Sequence, residues 1–211
     1  MTEKPTNIQA STPAEMEHDF QQVHDIVVFH RAEVARKVNA EMLQMAWEIG
    51  QYISTRIKSA GWGAKVVDEL SEYLQLQEPD TRGFGRRNLY NMVEFYDKYS
   101  TPEFQEIIQS LSNSLFIQQK TLSEIVQMPS AQIARQEIVQ MPSAQMVFTP
   151  LPAILTLTTF SNHLEILNRT HSYQESVFYM LYAAQQQLTT KELRRSIVTQ
   201  TYGSIMSKEK Q

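Results

Sequence analysis

The sequence predicts a mainly α-helical fold, in which a long N-terminal helix precedes a helix-turn-helix-like helical bundle and an irregular duplicated linker. Apolar residues recur at steps of three and four over most of the 211 residues, the spacing of one buried helical face. Capping patterns, Ser or Thr with Glu three residues later, precede several of these stretches. Glycine and proline separate the stretches, as expected for helices joined by turns.

The first helix is predicted to be long. Thr12-Pro13-Ala14-Glu15 is a capping box with proline at the first helical position, and neither proline nor glycine follows until Gly50. An apolar stripe continues to about Ser59, where Gly61 and Gly63 stop it. The stripe consists of Val23, Val27, His30, Val34, Val38, Met42, Met45, Ile49, Ile53 and Ile57. Because helices usually run about 8–20 residues, we expect this one to bend, with Gly50 as a candidate position, or to be covered by a partner.

Two shorter helices follow with the outline of a helix-turn-helix. The first runs roughly over residues 64–75, and Glu78-Pro79-Asp80 interrupts the chain after it. The second follows Gly85 and places Leu89, Met92, Val93 and Tyr96 on one apolar side. The break between them is longer than the three or four residues usual for the motif.

The start of the second of these helices carries several arginines. Cationic side chains beside unsatisfied N–H groups and the positive end of a helix dipole favour anion binding. Asn and Tyr side chains add groups suited to base edges or sugar. The candidate DNA-contacting residues are Arg82, Arg86, Arg87, Asn88, Tyr90, Asn91 and Lys98. A solvated arginine pair is the alternative interpretation, and Glu94 on the same face repels phosphate.

The second half of the chain contains a duplication between two helical regions. A short helix is expected after Ser100-Thr101-Pro102-Glu103, and Glu124–Gln132 then returns unchanged as Glu137–Gln145. We interpret the duplication as a linker, because two copies are too few for a solenoid. The predicted organisation is a disordered N-terminus over 1–12, a helical unit over 13–112, the linker over 113–152, C-terminal helices packing on the first unit over 153–199 and a flexible tail over 200–211.

The C-terminal helices are marked by two capping boxes, Ser172 to Glu175 and Thr189 to Glu192. The helix after Thr189 exposes three basic residues that are candidates for a second contact with DNA phosphate: Lys191, Arg194 and Arg195. Solvation of a surface helix is the alternative interpretation of these three residues.

Composition excludes several classes. The chain has 42% hydrophobic residues, no cysteine and a net charge of -4, so it is neither a disulfide scaffold nor a generally basic nucleic-acid coat. The N-terminus lacks a hydrophobic signal core and no apolar run reaches about 18 residues, so we expect a cytoplasmic protein without a membrane partner.

The sequence offers no convincing catalytic or metal site. His18, His24 and His30 recur every six residues on the first helix, so their side chains point in different directions. Ser161, His163 and Glu165 are close in sequence without the convergence that a catalytic triad needs. We therefore expect no cofactor and no metal, and we interpret Trp47 and Trp62 as core residues rather than base-stacking platforms.

Four blocks in order resemble the N-terminal helical domain of the YhcG-type family, over about residues 20–198. The blocks are Trp47–Gly50, Gly61–Ser71, Gly83–Met92 and Leu188–Ile197. In the family this domain precedes a PD-(D/E)XK nuclease domain, so the resemblance implies a recognition half. Where the family tends to have Leu-Ser-Trp-Ser-His, this chain reads Leu157-Thr-Thr-Phe-Ser-Asn-His163, with Phe160 as the aromatic residue.

The nuclease motif itself is missing from these residues. A PD-(D/E)XK centre needs acidic metal ligands and a lysine two positions after one of them, and the sequence contains neither Asp-x-Lys nor Glu-x-Lys. We expect no enzyme activity. The leading hypothesis is a noncatalytic module that binds duplex DNA within a YhcG-like nuclease system. The alternative is a scaffold whose long N-terminal helix forms a homo-oligomer or docks a separately encoded nuclease subunit.

Overall fold

The structure, a computed structural model, describes residues 13–80, 82–111 and 147–208, and this part of the chain contains helices and no strand. The helices are α1 (Pro13–Ala60), α2 (Ala64–Gln77), α3 (Arg86–Tyr99), α4 (102–111), α5 (Phe160–Arg169), α6 (Tyr173–Gln185), α7 (Thr190–Val198) and α8 (Thr201–Lys208). A 3₁₀ turn covers Ala153–Leu157. The mainly α class and the long N-terminal helix are confirmed.

The chain divides into two compact units, Met1–Glu41 and Met42–Gln211. Within the first unit, residues 16–41 of α1 form what we call the N-terminal segment. Its large apolar side chains lie in solvent, and the following are each at least 47% exposed: Phe20, Val23, Ile26, Val27, Val28, Phe29, Val34 and Val38. The predicted stripe therefore has no covering element among the described residues of this unit.

The part of α1 in the second unit buries part of the predicted stripe, since Ile53 is buried and Ile49 and Ile57 pack against the same cluster, and it also buries residues outside the stripe. Met42 and Met45 are 57% and 40% exposed, whereas Leu43, Ala46 and Trp47 are buried. Gly50 does not interrupt the helix. It allows close packing instead, because a Cβ atom at this position would meet the backbone of α3.

Two apolar clusters build the second unit. One joins α1, α2 and α3 around the buried residues Ala46, Ile53, Val67, Phe84, Leu89 and Met92. The larger one joins α1, α3 and α4 with the C-terminal helices, and its largest fully buried side chains are Trp47, Phe95, Tyr99, Phe104 and Tyr179. Phe160 packs on Phe95 at a ring-centroid distance of 5.4 Å, so the predicted aromatic packing role of Phe160 is observed.

Two side chains of α1 bind the backbone of residues 147–149. The indole Nε1 of Trp47 donates to the Thr149 carbonyl at 2.9 Å. The Gln51 amide donates to the Val147 carbonyl at 3.2 Å, and its oxygen accepts from the backbone N–H and the hydroxyl of Thr149. Trp47 is thus a core residue, as predicted, and Gln51 satisfies backbone groups that would otherwise lack partners.

The C-terminal caps follow the sequence patterns. Thr189 and Glu192 form a complete capping box. Ser172 accepts from the Glu175 N–H, while the Glu175 carboxylate accepts from the His171 N–H, so this second cap is only half of a box. Residues 200–211 were predicted to be a flexible tail without a helix. In the structure Thr201–Lys208 forms α8, which packs on α6 and α7.

Several predictions fall on residues outside the described part. The predicted disordered residues 1–12, Thr12 as a cap, and both copies of the duplication lie there. The predicted boundaries at 112 and 152 stay predictions. No helix among the described residues has both the length and the apolar character needed to cross a bilayer.

Candidate nucleic-acid interface

The N-terminal end of α3 is open. Gly85 occupies the N-cap position in an extended conformation, and no side chain caps the helix. The first intrahelical bonds run from the Asn88 and Leu89 N–H groups to the Gly85 carbonyl. The N–H groups of Arg86 and Arg87 have no acceptor among the described residues, and the first turn carries no acidic side chain. These groups therefore point their positive ends outward.

The loop before α3 is held in place from both sides. Phe84 is buried, and its carbonyl accepts from the Ser71 hydroxyl of α2 at 2.8 Å. Gly83 has a φ of 112°, a conformation that favours glycine, and its carbonyl accepts from the Asn88 side chain at 2.6 Å. Arg82 is exposed beside this fixed loop, in a shallow cleft that Gly85 also lines. The burial of Phe84 and these two hydrogen bonds thus fix the position of the loop.

Arg86 is partly neutralised. Its Nε lies 2.8 Å from Asp68 Oδ1 on α2, and its guanidinium lies 5.9 Å from the centre of the Tyr90 ring. The N–H is not directed at this buried carboxylate oxygen, so the contact is an ion pair without a well-formed hydrogen bond. Arg86 and Tyr90 are consequently engaged with the protein, and so is the amide of Asn88.

The remaining cationic side chains of this region are free of ion pairs with described residues and can bind an anion. Arg82, Arg87 and Lys98 are exposed, and none has an acidic partner among the described side chains. Asn91 and Glu94 lie half-buried between Arg87 and Lys98 on the outer face. We call the seven predicted DNA-contacting residues of residues 82–98 the α3 surface. Its positive charge is most concentrated at the helix start, where Arg82 and Arg87 flank the open N–H groups.

The three basic residues of α7, which we call the α7 surface, differ in their surroundings. Arg194 makes a two-point contact with Glu165 of α5, with Nε to Oε2 at 2.9 Å and Nη2 to Oε1 at 2.5 Å. Arg169 also binds this carboxylate, at 2.9 Å. The hydrogen bond from Arg194 lowers the pKa of Glu165, and the carboxylate raises the pKa of Arg194. All three residues are exposed, and Arg194 differs in that its contacts with Glu165 join α5 to α7.

Sequence reasoning missed both acidic partners. Asp68 lies on α2, one helix before Arg86, and the whole of α6 separates Glu165 on α5 from Arg194 on α7. No local spacing rule links such residues, since side chains pair by sequence only at three or four positions apart on one helix. A weak signal existed for α5, because Glu165 and Arg169 have that spacing.

The residues near His163 form part of the core. His163 is fully buried and its Nε2 lies 2.7 Å from the Leu155 carbonyl, so this nitrogen carries the proton. Burial lowers the pKa of His163 to about 4. Ser161 is exposed, and Glu165 is bound to arginines. The three residues do not form a catalytic triad, and no group of three potential metal ligands occurs among the described residues.

A family model described as the DUF1016 N-terminal domain matches residues 22–127. This chain belongs to the DUF1016 N-terminal domain family. The match confirms the resemblance to the YhcG-type N-terminal domain and contains the first three sequence blocks; the block Leu188–Ile197 lies beyond it. The α3 surface is part of the matched DUF1016 residues, and the α7 surface is not. Comparison with curated proteins and with solved structures finds no match.

Proposed function

We propose that this protein is a noncatalytic DNA-binding module that contacts duplex phosphate with the start of α3, within a nuclease system of the YhcG type. The observation that carries the proposal is the open helix N-terminus flanked by Arg82 and Arg87. Unpaired N–H groups, the helix dipole and two guanidinium groups all favour the same ligand charge. Arginine also suits phosphate because its planar fork donates to two oxygens.

The rest of the α3 surface contributes unequally. Lys98 lies at the other end of the helix and extends the positive face, while Asn91 is the best placed candidate for limited base contacts. In the free protein the Asn88 side chain donates to the Gly83 carbonyl, and the Tyr90 ring lies beside the Arg86 guanidinium. These two side chains therefore position neighbouring residues of the α3 surface, and they would have to give up these contacts to bind bases. Glu94 opposes phosphate. The protein has a net charge of -4, and affinity therefore depends on this local patch.

The α7 surface offers a second, weaker contact. Lys191 and Arg195 are exposed, and the carboxylate of Glu165 offsets the charge of Arg194. A phosphate contact from Lys191 or Arg195 would add affinity without sequence preference.

The test is fluorescence anisotropy with labelled duplex DNA over a series of salt concentrations. Arg82→Ala/Arg87→Ala should bind more weakly than wild type and reduce the slope of log affinity against log salt by about 2, one for each phosphate contact. The matched control is Arg56→Ala/Lys65→Ala, which removes the same charge from two exposed residues outside the α3 surface. Equal affinities for wild type and the arginine variant would refute the proposal.

A second candidate function is assembly, and the exposed apolar side chains of the N-terminal segment favour it. Soluble proteins rarely leave such a contiguous apolar surface uncovered. In this role the segment pairs with a second copy or docks a separately encoded nuclease subunit. The two candidates use different residues and are compatible.

A further inference from the structure

The N-terminal segment has an uneven charge distribution. Residues 16–28 contain the acidic residues Glu17, Asp19 and Asp25 and no Lys or Arg. Residues 29–41 contain all three basic residues of the segment, Arg31, Arg36 and Lys37, together with Glu33 and Glu41. A parallel pair of copies would place the acidic half against the acidic half. An antiparallel pair would place it against the half that carries the cations.

The apolar and charge patterns share one centre. Position 28 lies midway between Asp19 and Lys37 and also midway between Asp25 and Arg31. The run Ile26–Phe29, in which all four side chains are exposed and apolar, lies at the same place. Val23 and Val34 have nearly the same centre, since they lie at equal distances from the bond between residues 28 and 29. The segment is thus close to self-complementary when reversed.

We propose that the N-terminal segment forms an antiparallel pair with the segment of a second copy, with the two-fold axis passing near Val28. This inference rests on the assembly role proposed above and names its partner and orientation. A two-fold contact is isologous, so residues at the axis meet their own copies and residues at one end meet those at the other. Successive residues of a helix turn by about 100°, so only part of Ile26–Phe29 faces the second helix, with Val27 near the centre of the contact. Val23 then approaches Val34 of the second copy, and Asp19 approaches Lys37 of the second copy.

The segment is long enough for a stable contact. Its residues span about 39 Å at the helical rise of 1.5 Å per residue. Apolar side chains extend from Phe20 to Val38, so the paired helices bury apolar surface over most of this length. The opposite charges at the two ends favour the antiparallel register over the parallel one.

The first experiment is sedimentation velocity of the full chain over a concentration series without DNA. We expect a reversible dimer for wild type and a monomer for Val27→Lys, because an ammonium group at the centre of the contact would be desolvated twice. The matched control is Val198→Lys, since Val198 is 64% exposed on α7, outside the segment. Circular dichroism checks that each variant keeps its helix content. A monomeric wild type, or a dimer that Val27→Lys leaves intact, overturns the proposal.

The second experiment tests the orientation and exploits the absence of cysteine from the chain. Asp19→Cys and Lys37→Cys are oxidised separately and as a mixture, and intact mass spectrometry identifies the disulfide-linked dimers. The antiparallel pair predicts the mixed dimer in excess over either self-linked dimer. Self-linked dimers in excess would show a parallel pair and overturn the proposal.

The outcome is separable from that of the DNA proposal. Dimerisation is measured without DNA, and the Arg82→Ala/Arg87→Ala variant changes no residue of the N-terminal segment. A monomeric wild type that still binds DNA through α3 would overturn the pair alone.

Discussion

Gly50 of α1 and Met92 of α3 are in backbone contact: a Cβ atom placed on Gly50 would lie 2.1 Å from the Met92 carbonyl oxygen. The same atom would lie 3.0 Å from Cβ of Tyr96. Only a residue without a side chain permits this approach. The glycine that the sequence suggested as a bend therefore sets the distance between the long helix and the helix that carries the candidate interface.

Gly50→Ala should destabilise the protein by about 2–3 kcal/mol, since the added methyl group must displace backbone rather than a flexible side chain. Urea unfolding followed by circular dichroism measures the effect. Gly203→Ala is the matched control, because Gly203 is also helical and a Cβ there meets nothing within 4 Å. The control should be neutral or more stable by up to about 1 kcal/mol. Similar losses in both variants would contradict the close approach.

The buried His163 should make stability depend on pH. Its pKa is lowered from 6.5 to about 4 by burial, so the unfolded chain binds more protons than the folded one between these values. The free energy of unfolding should therefore fall as pH falls from about 6.5 to 4, by up to about 3 kcal/mol from this residue.

The pH effect is isolated by comparing urea unfolding of wild type and His163→Gln over this range. His163→Gln should lose the part of the pH dependence of the unfolding free energy that His163 causes. His171→Gln, which removes an exposed histidine, should keep this pH dependence. If the difference in unfolding free energy between wild type and His163→Gln does not change with pH, His163 is not held neutral by burial.

Glu165→Gln should lower the free energy of unfolding by about 1 kcal/mol at neutral pH, because it weakens charge-assisted hydrogen bonds to two partly exposed arginines. The pKa of Glu165 is lowered, mainly by the hydrogen bond from Arg194, so its stabilising contribution should be lost as pH falls through the lowered pKa. Thermal unfolding at neutral and acidic pH measures both effects. Glu72→Gln, on an exposed carboxylate of α2, is the control, and an equal loss there would contradict the role of the arginine contacts.

Asp68→Asn should strengthen DNA binding under the proposed function. The change removes a negative charge and frees Arg86, so log affinity should depend on log salt more steeply, by about 1 unit of slope. Fluorescence anisotropy with the duplex used above measures this. Glu69→Gln is the control, because it removes a charge from α2 whose partner is Lys65 rather than a residue of α3. Weaker binding by Asp68→Asn would indicate that the ion pair positions Arg86 productively.

The helices were predictable because their signals are local. The Thr189 and Glu192 capping box, the stop at Gly61 and the start after Gly85 each depend on a few neighbouring residues, and the structure has these elements where the patterns place them. The inner face of α3 was less predictable. Phe95 and Tyr99 are fully buried in addition to Leu89, because α3 packs against helices on more than one side.

The sequence was sufficient to predict which residues make up the candidate interface, but not which of its arginines are held in ion pairs with other helices. The arginines at the start of α3 are apparent in the sequence, whereas the ion pair of Arg86 with Asp68 and that of Arg194 with Glu165 depend on how separate helices meet. Periodicity reports which side of one helix is buried, and it contains no information on which residue of another helix lies opposite.

The contacts of Gln51 and Trp47 with Val147 and Thr149 give the chain a fixed return point on α1. On the other side of the duplication, Phe104 is fully buried in the same core. In the sequence, the identical copies Glu124–Gln132 and Glu137–Gln145 thus lie between two places at which the chain is attached to the second unit. The second copy adds residues to this connection and replaces none of the residues that make the two attachments.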